Sequence, residues 1–174
     1  WQLPAGESFQ TPEVLMTYTD NGLNAMSKAF HSIIRDRITR SKYKYKERPI
    51  LVNNWEATYF DFDEDKLKPI VDEAKELGIE MFVLDDGWFG HRDDDNSSLG
   101  DWNVYEKKFP QGLKHFADYV HSKDLKFGIW FEPEMISMDS ELYRSHPEYL
   151  MQVPGRQPSP SRNQYILDMT RKDV

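Results

Sequence analysis

Asp85 and Asp86 stand side by side at the end of an apolar run and are followed by Gly87, Trp88 and Phe89. Two carboxylates beside an indole suit a polyhydroxylated ligand. The carboxylates accept hydrogen bonds from hydroxyl groups, and a flat aromatic face meets the C–H face of a ring. Asp and Gly also favour turns, so a plain connection is the competing reading. A second cluster, Ile129–Met135 (IWFEPEM), offers Trp130, Glu132 and Glu134.

By residue type, Asp86 with Glu132 forms a candidate acid and nucleophile pair, since cleavage of a glycosidic bond uses two carboxylates across that bond. The alternative is that the glutamates brace the fold or cap the next segment. Trp55, after Asn53 and Asn54, is a pocket wall or core. Arg162, before Asn163, can hold a carboxylate or a hydroxyl, or is a surface residue.

These residues need elements to position them. Apolar runs at 49–55, 79–84 and 125–131 read as buried strands. Between them, 64–77 and 111–123 show helical apolar spacing, and Gly78 closes the first of these helices. Strand, helix, strand, helix, strand implies a parallel sheet with right-handed crossovers. Both a doubly wound sheet and a (β/α)8 barrel begin this way. No G-x-G-x-x-G opens the first helix, which argues against a dinucleotide site. The reactive residues follow the strands directly, where barrel enzymes keep their sites. A full barrel takes about 250 residues, and three clear units fit here, so a partial TIM barrel is expected. Elsewhere, 13–19 reads as a strand, and Asp20 as the cap of a helix with Leu23, Met26, Phe30 and Ile33 on one face. Residues 85–108 read as a polar loop, and 164–168 as one more short strand.

Composition narrows the function. The 174 residues are 39% hydrophobic and 14% aromatic, which suits a folded domain. The net charge of −8 argues against a nucleic-acid partner. The basic run from Arg35 to Arg48 reads as a solvated helix end and linker. With no cysteine, a disulfide or thiolate metal site is excluded, and a cytoplasmic location is expected. No apolar run approaches the ~20 residues that span a bilayer. The first residues resemble no signal peptide and do not begin with Met, so a cut from a longer chain is expected. Asp93, Asp94, Asp95 and Asn96 invite a calcium loop, but the Gly and Glu that such a loop needs are replaced by Ser98 and Val104. That stretch reads as an acidic solvated loop. The histidines lack zinc-site spacing, and no G-x-S-x-G or phosphate loop is present.

Six segments taken together resemble family 36 of the glycoside hydrolases, the bacterial and fungal α-galactosidases. They are GESFQTPEV (6–14), RPILVNNWEATYFDFDE (48–64), FVLDDGWFGHRDDD (82–95), LGDWNVYEKKFPQGL (99–113), GIWFEPEM (128–135) and SRNQYILDMT (161–170). They occur in the family's order. The resemblance implies an α/β chain forming the first three to four units of a (β/α)8 barrel, with a short β and linker segment before it. Residues 1–19 would end an N-terminal β-sandwich, 20–48 would connect, and 49–174 would begin the catalytic barrel. It also implies that Asp85 and Asp86 bind galactose hydroxyls, that Trp55 and Trp130 line the sugar site, and that Arg162 belongs to the pocket. Glu132 and Glu134 become supporting residues. No cofactor or metal is implied.

Family members cleave terminal α-linked galactose from melibiose, raffinose and similar sugars with retention of configuration, and often form homo-oligomers. The family's nucleophile, an aspartate in a Lys-Trp-Asp motif, and its acid/base aspartate are expected beyond Val174; Asp168 matches neither. In that double displacement the two carboxyl groups lie ~5–5.5 Å apart. The chain alone is therefore expected to be an inactive part of an α-galactosidase. The alternative is a galactose-binding or self-assembling half-barrel without catalysis.

Overall fold

A computed structural model describes residues 2–174; Trp1, the first residue of the expected 1–19 segment, lies outside the described residues. The chain divides into two units, Trp1–Arg48 and Pro49–Val174. In the first unit, helix α1 (Gly22–Ile33) runs into a π-helical turn, Ile34–Ile38. No residue of α1 is buried, and Leu23 is 77% exposed.

Two expectations are corrected here. Residues 13–19 form no strand, because a strand is defined by ladder bonds to a partner and none is made there among the described residues. The N-cap is Asn21, not Asp20. Asp20 lies one residue too early to reach the first free N–H groups and instead accepts from Asn21 Nδ2 at 2.8 Å.

In the second unit, three parallel strands lie in the order β1 (Leu51–Asn53), β2 (Met81–Leu84), β3 (Lys126–Ile129). Phe82 of β2 sits between Val52 and Phe127 in register. A short helix, α2 (Trp55–Thr58), follows β1 directly. Helix α3 (Glu64–Glu76) joins β1 to β2, and α4 (Leu113–Ser122) joins β2 to β3. Asp63 caps α3, its Oδ1 accepting from Lys66 N at 2.9 Å. Leu67, Val71 and Ala74 turn one face of α3 inward, and Phe116 and Val120 do so for α4.

The sheet presents Phe82 to the helices: its ring meets Phe116 edge-on at 5.7 Å. On the opposite face Gly128 leaves room for its neighbours. A Cβ there would lie 2.5 Å from Met81 Cε and 3.1 Å from Val83 Cγ2.

The expected fourth strand departs from the sheet. β5 (Tyr165–Ile166) pairs antiparallel with β4 (Met135–Ile136), and a helix α5 (Glu141–Ser145) lies between them in sequence. The polar loop 85–108 is also corrected. It buries Trp88, Phe89, Leu99 and Arg92, so it forms part of the core. Every buried side-chain polar atom among the described residues has a hydrogen-bond partner, as a folded interior requires.

Candidate sugar site at the carboxyl ends of the strands

The ends of β1 and β2 are tied by two asparagines. Asn53 Nδ2 donates to Asp85 Oδ2 at 2.8 Å, and Asp85 N donates to Asn54 Oδ1 at 2.9 Å. Asn54 is fully buried and also donates to Thr58 Oγ1 at 2.9 Å. Asp85 Oδ1 then accepts from Asp86 N at 2.8 Å. The adjacent carboxylates are thus fixed in different ways, Asp85 half-buried against β1 and Asp86 buried.

Gly87 makes the turn that follows. Its φ of +98° is the left-handed side open to glycine, and a Cβ would lie 3.1 Å from Phe60 Cδ1 and 3.3 Å from Lys108 Nζ. The turn reading of this motif and the site reading are therefore compatible.

Asp86 meets a fully buried arginine. Arg92 Nε donates to Asp86 Oδ1 at 2.6 Å and Nη2 to Oδ2 at 2.9 Å, a two-pronged pair. The third arm, Nη1, donates to Ser97 O at 2.6 Å. Lys108, 4% exposed, donates to Phe60 O at 2.8 Å and Arg92 O at 3.0 Å. Burial holds its ammonium below the usual lysine range, against the pull of Asp93.

Trp55 starts α2, half-buried, with its ring edge-on to Tyr59 at 5.2 Å and Phe60 at 5.1 Å. Trp130 follows β3, half-buried; its carbonyl accepts from Trp88 Nε1 at 3.0 Å, and its ring stacks near Phe89 at 6.4 Å. Glu132 accepts from Gln164 Nε2 at 3.2 Å. Its carboxyl is held above the usual range by burial, then by the like charges of Glu134 and Asp86, against the opposing Arg162 and Arg92. Arg162 and Asn163, with φ of +51° and +62°, form the tip of a tight turn closed by two bonds of 2.9 Å between Ser161 and Gln164. The turn brings Arg162 into the field of Glu132.

Asp85, Asp86, Trp55 and Trp130 therefore lie just past the three strand ends, and Arg162 comes in from the β5 side. The buried Arg92 and Lys108 and the asparagine ties were missed in the sequence. An arginine beside three aspartates reads as solvated; its only signal is a position six residues after Asp86. Asp93 stays exposed, as an acidic solvated loop implies, and accepts from Tyr105 Oη at 3.0 Å and from Lys107 Nζ at 3.3 Å. Among the described residues no cluster of His, Cys, Asp and Glu is arranged to hold a metal ion, and no helix is long and apolar enough to cross a membrane.

Carboxylates and indoles at the carboxyl ends of a parallel α/β sheet lie where barrels and open α/β sheets alike bind their ligands. The Melibiase family matches residues 8–174, and the chain belongs to that family. It is 75% identical over its whole length to alpha-galactosidase 1 of Pediococcus pentosaceus and 74% identical to alpha-galactosidase Mel36A of Lactobacillus acidophilus. It spans 24% of the length of each. Among solved structures, the family 36 α-galactosidase AgaA of Geobacillus stearothermophilus, a substituted form in complex with raffinose, superposes with a TM-score of 0.91 at 56% identity. That match covers 97% of this chain and 23% of the other.

Proposed function

We propose that this chain is the opening part of the (β/α)8 catalytic barrel of a retaining α-galactosidase, acting on terminal α-linked galactose of oligosaccharides such as melibiose and raffinose. In this reading residues 49–174 begin the barrel and 20–48 lead into it. Trp55, Asp85, Asp86, Trp130 and Arg162 contact the galactose. The observation that supports it best is the placement of Asp85 and Asp86 just past β2, with Trp55 just past its neighbour β1 and Trp130 just past its neighbour β3, in a chain of the Melibiase family. Glu132 is a support, bonded to Gln164. The chain contains no Lys-Trp-Asp motif, so it is expected to lack hydrolysis by itself, while the full-length protein hydrolyses α-galactosides and self-associates.

An intact mass taken beside a p-nitrophenyl α-galactoside assay tests this. Activity in the full-length protein and none at 20.6 kDa is the expected result. Activity at the smaller mass would turn attention to Asp86 with Glu132. Inactivity of the full-length protein would remove the proposal.

One observation favours a second reading, a self-assembling module. An apolar groove of about 380 Å³ runs along Val52, Pro69, Ile70, Ala74, Leu77 and Ile79 beside β1. β1 is an edge strand in this sheet, and an unpaired edge beside apolar surface is a pairing site.

A further inference from the structure

We propose that Arg92 and Lys108 form a positioning clamp for the sugar site, Arg92 aiming the Asp86 carboxylate and Lys108 tying that carboxylate's loop to the loop of Trp55. This rests on the galactose-binding reading of Asp86 and Trp55 above.

The geometry of Arg92 is that of a fixed fork. Two of its arms take one oxygen each of Asp86, and the third is anchored on Ser97 O. The guanidinium carbon lies 5.5 Å from the Phe60 ring centroid and 5.7 Å from that of Phe89, so its position is set by packing as well as by bonds. A carboxylate offers about four acceptor directions. Arg92 fills one on each oxygen and leaves the others to hydroxyl groups. Because the fork is planar and rigid, it fixes the plane in which the remaining lone pairs meet a ligand.

Lys108 extends the clamp. Its ammonium bonds the carbonyl of Arg92 and the carbonyl of Phe60, 48 residues away, and sits 4.4 Å from the Phe62 ring centroid. Phe60 in turn meets the Trp55 ring edge-on at 5.1 Å. One buried cation therefore joins the loop after β1 to the loop after β2. A displacement of Lys108 shifts Asp86 through Arg92 and Trp55 through Phe60. Gly87 is what lets the two loops come this close, since the gap above it is already filled by Phe60 and Lys108.

A purely structural ion pair would affect folding alone. A positioning clamp changes how the folded protein handles its ligand, and it acts through Asp86. The test is a double-mutant cycle in the full-length protein that carries this sequence, assayed with p-nitrophenyl α-galactoside. It uses Asp86→Asn, Arg92→Lys and the double variant, with circular dichroism to establish folding. Lysine keeps the charge but cannot span both oxygens.

Each single variant is expected to lose about 100-fold in kcat/KM. The double variant is expected to be no worse than Asp86→Asn alone, because Arg92 has no other route to the ligand. Losses that multiply in the double variant would overturn the proposal, as would a folded Arg92→Lys with unchanged kcat and KM. If Arg92→Lys does not fold, Lys108→Met serves in its place. It leaves the Asp86–Arg92 pair intact and is expected to raise KM about tenfold; an unchanged KM in the folded variant would overturn the clamp. A wild-type protein without hydrolysis would instead remove the α-galactosidase reading beneath it.

Discussion

Glu132 is a carboxyl group drawn partly out of water at the end of β3, with Glu134 and Asp86 adding like charge. Its folded value is raised above the ordinary 4.5, so the folded state favours its protonated form. The stability this supplies is full below the ordinary value and is lost as pH rises through the raised folded value. Glu132→Gln keeps an acceptor for Gln164 and removes the titration. Relative to wild type, the variant is expected to gain stability between pH 4 and pH 7, checked by urea unfolding at both. A difference independent of pH would show that Glu132 titrates normally. Arg162 poses the opposite problem. Its φ of +51° is a conformation that a side chain with a Cβ enters at a cost, and such strain gathers at functional sites. Arg162→Asn suits that turn and is expected to stabilise by about 1 kcal/mol in urea unfolding. In the full-length protein it should weaken galactoside binding, read as a higher KM.

At the scale of elements, short local signals decide where helices and turns begin. Asp63 supplies the α3 cap, and Asp63→Ala is expected to cost about 1 kcal/mol, or about 2–5 °C in Tm by thermal melt. Gly87 serves two elements at once, as a turn residue and as the space into which Phe60 and Lys108 pack. Gly87→Ala combines a left-handed backbone penalty with overpacking. A loss of about 2–4 kcal/mol in urea unfolding is expected. A milder effect would mean that the loop after β1 moves aside freely.

Over the whole molecule, charge and apolar surface are unevenly placed. The chain carries a net charge of −8, which opposes close association between copies. Yet Leu77 is 71% exposed, Ile50 61% and Leu51 54%, all close in sequence to the apolar groove along α3 and β1. Apolar surface beside an edge strand outweighs a modest like-charge repulsion at physiological salt, because screening shortens the repulsion to about 8 Å. The 174-residue chain is therefore expected to associate in a concentration-dependent way by light scattering. Leu77→Lys should reduce that association. A monodisperse wild-type chain would leave the self-assembling reading without support.

Much of this was determined by the sequence itself. Apolar periodicity marked β1, α3, β2, α4 and β3 to within a few residues, because strand and helix faces repeat over distances of a few residues. Six ordered motifs carried the family resemblance, and the match over residues 8–174 places the chain in the Melibiase family. Asp85, Asp86, Trp55 and Trp130 were legible as strand-end residues for the same local reason. What tertiary structure decided depends on partners distant in the chain. Residues 164–168 read as a further strand, but their ladder bonds go antiparallel to Met135–Ile136, and no local pattern names a partner. Residues 85–108 read as polar loop, yet Arg92 and Lys108 are buried there. A charged side chain can leave water only when its counter-groups are in place. For Arg92 these are Asp86 and Ser97, near in sequence but brought round only by the fold of the loop, and for Lys108 the Asp93 carboxylate and a carbonyl 48 residues away, so only the folded chain could show that the charges lie inside.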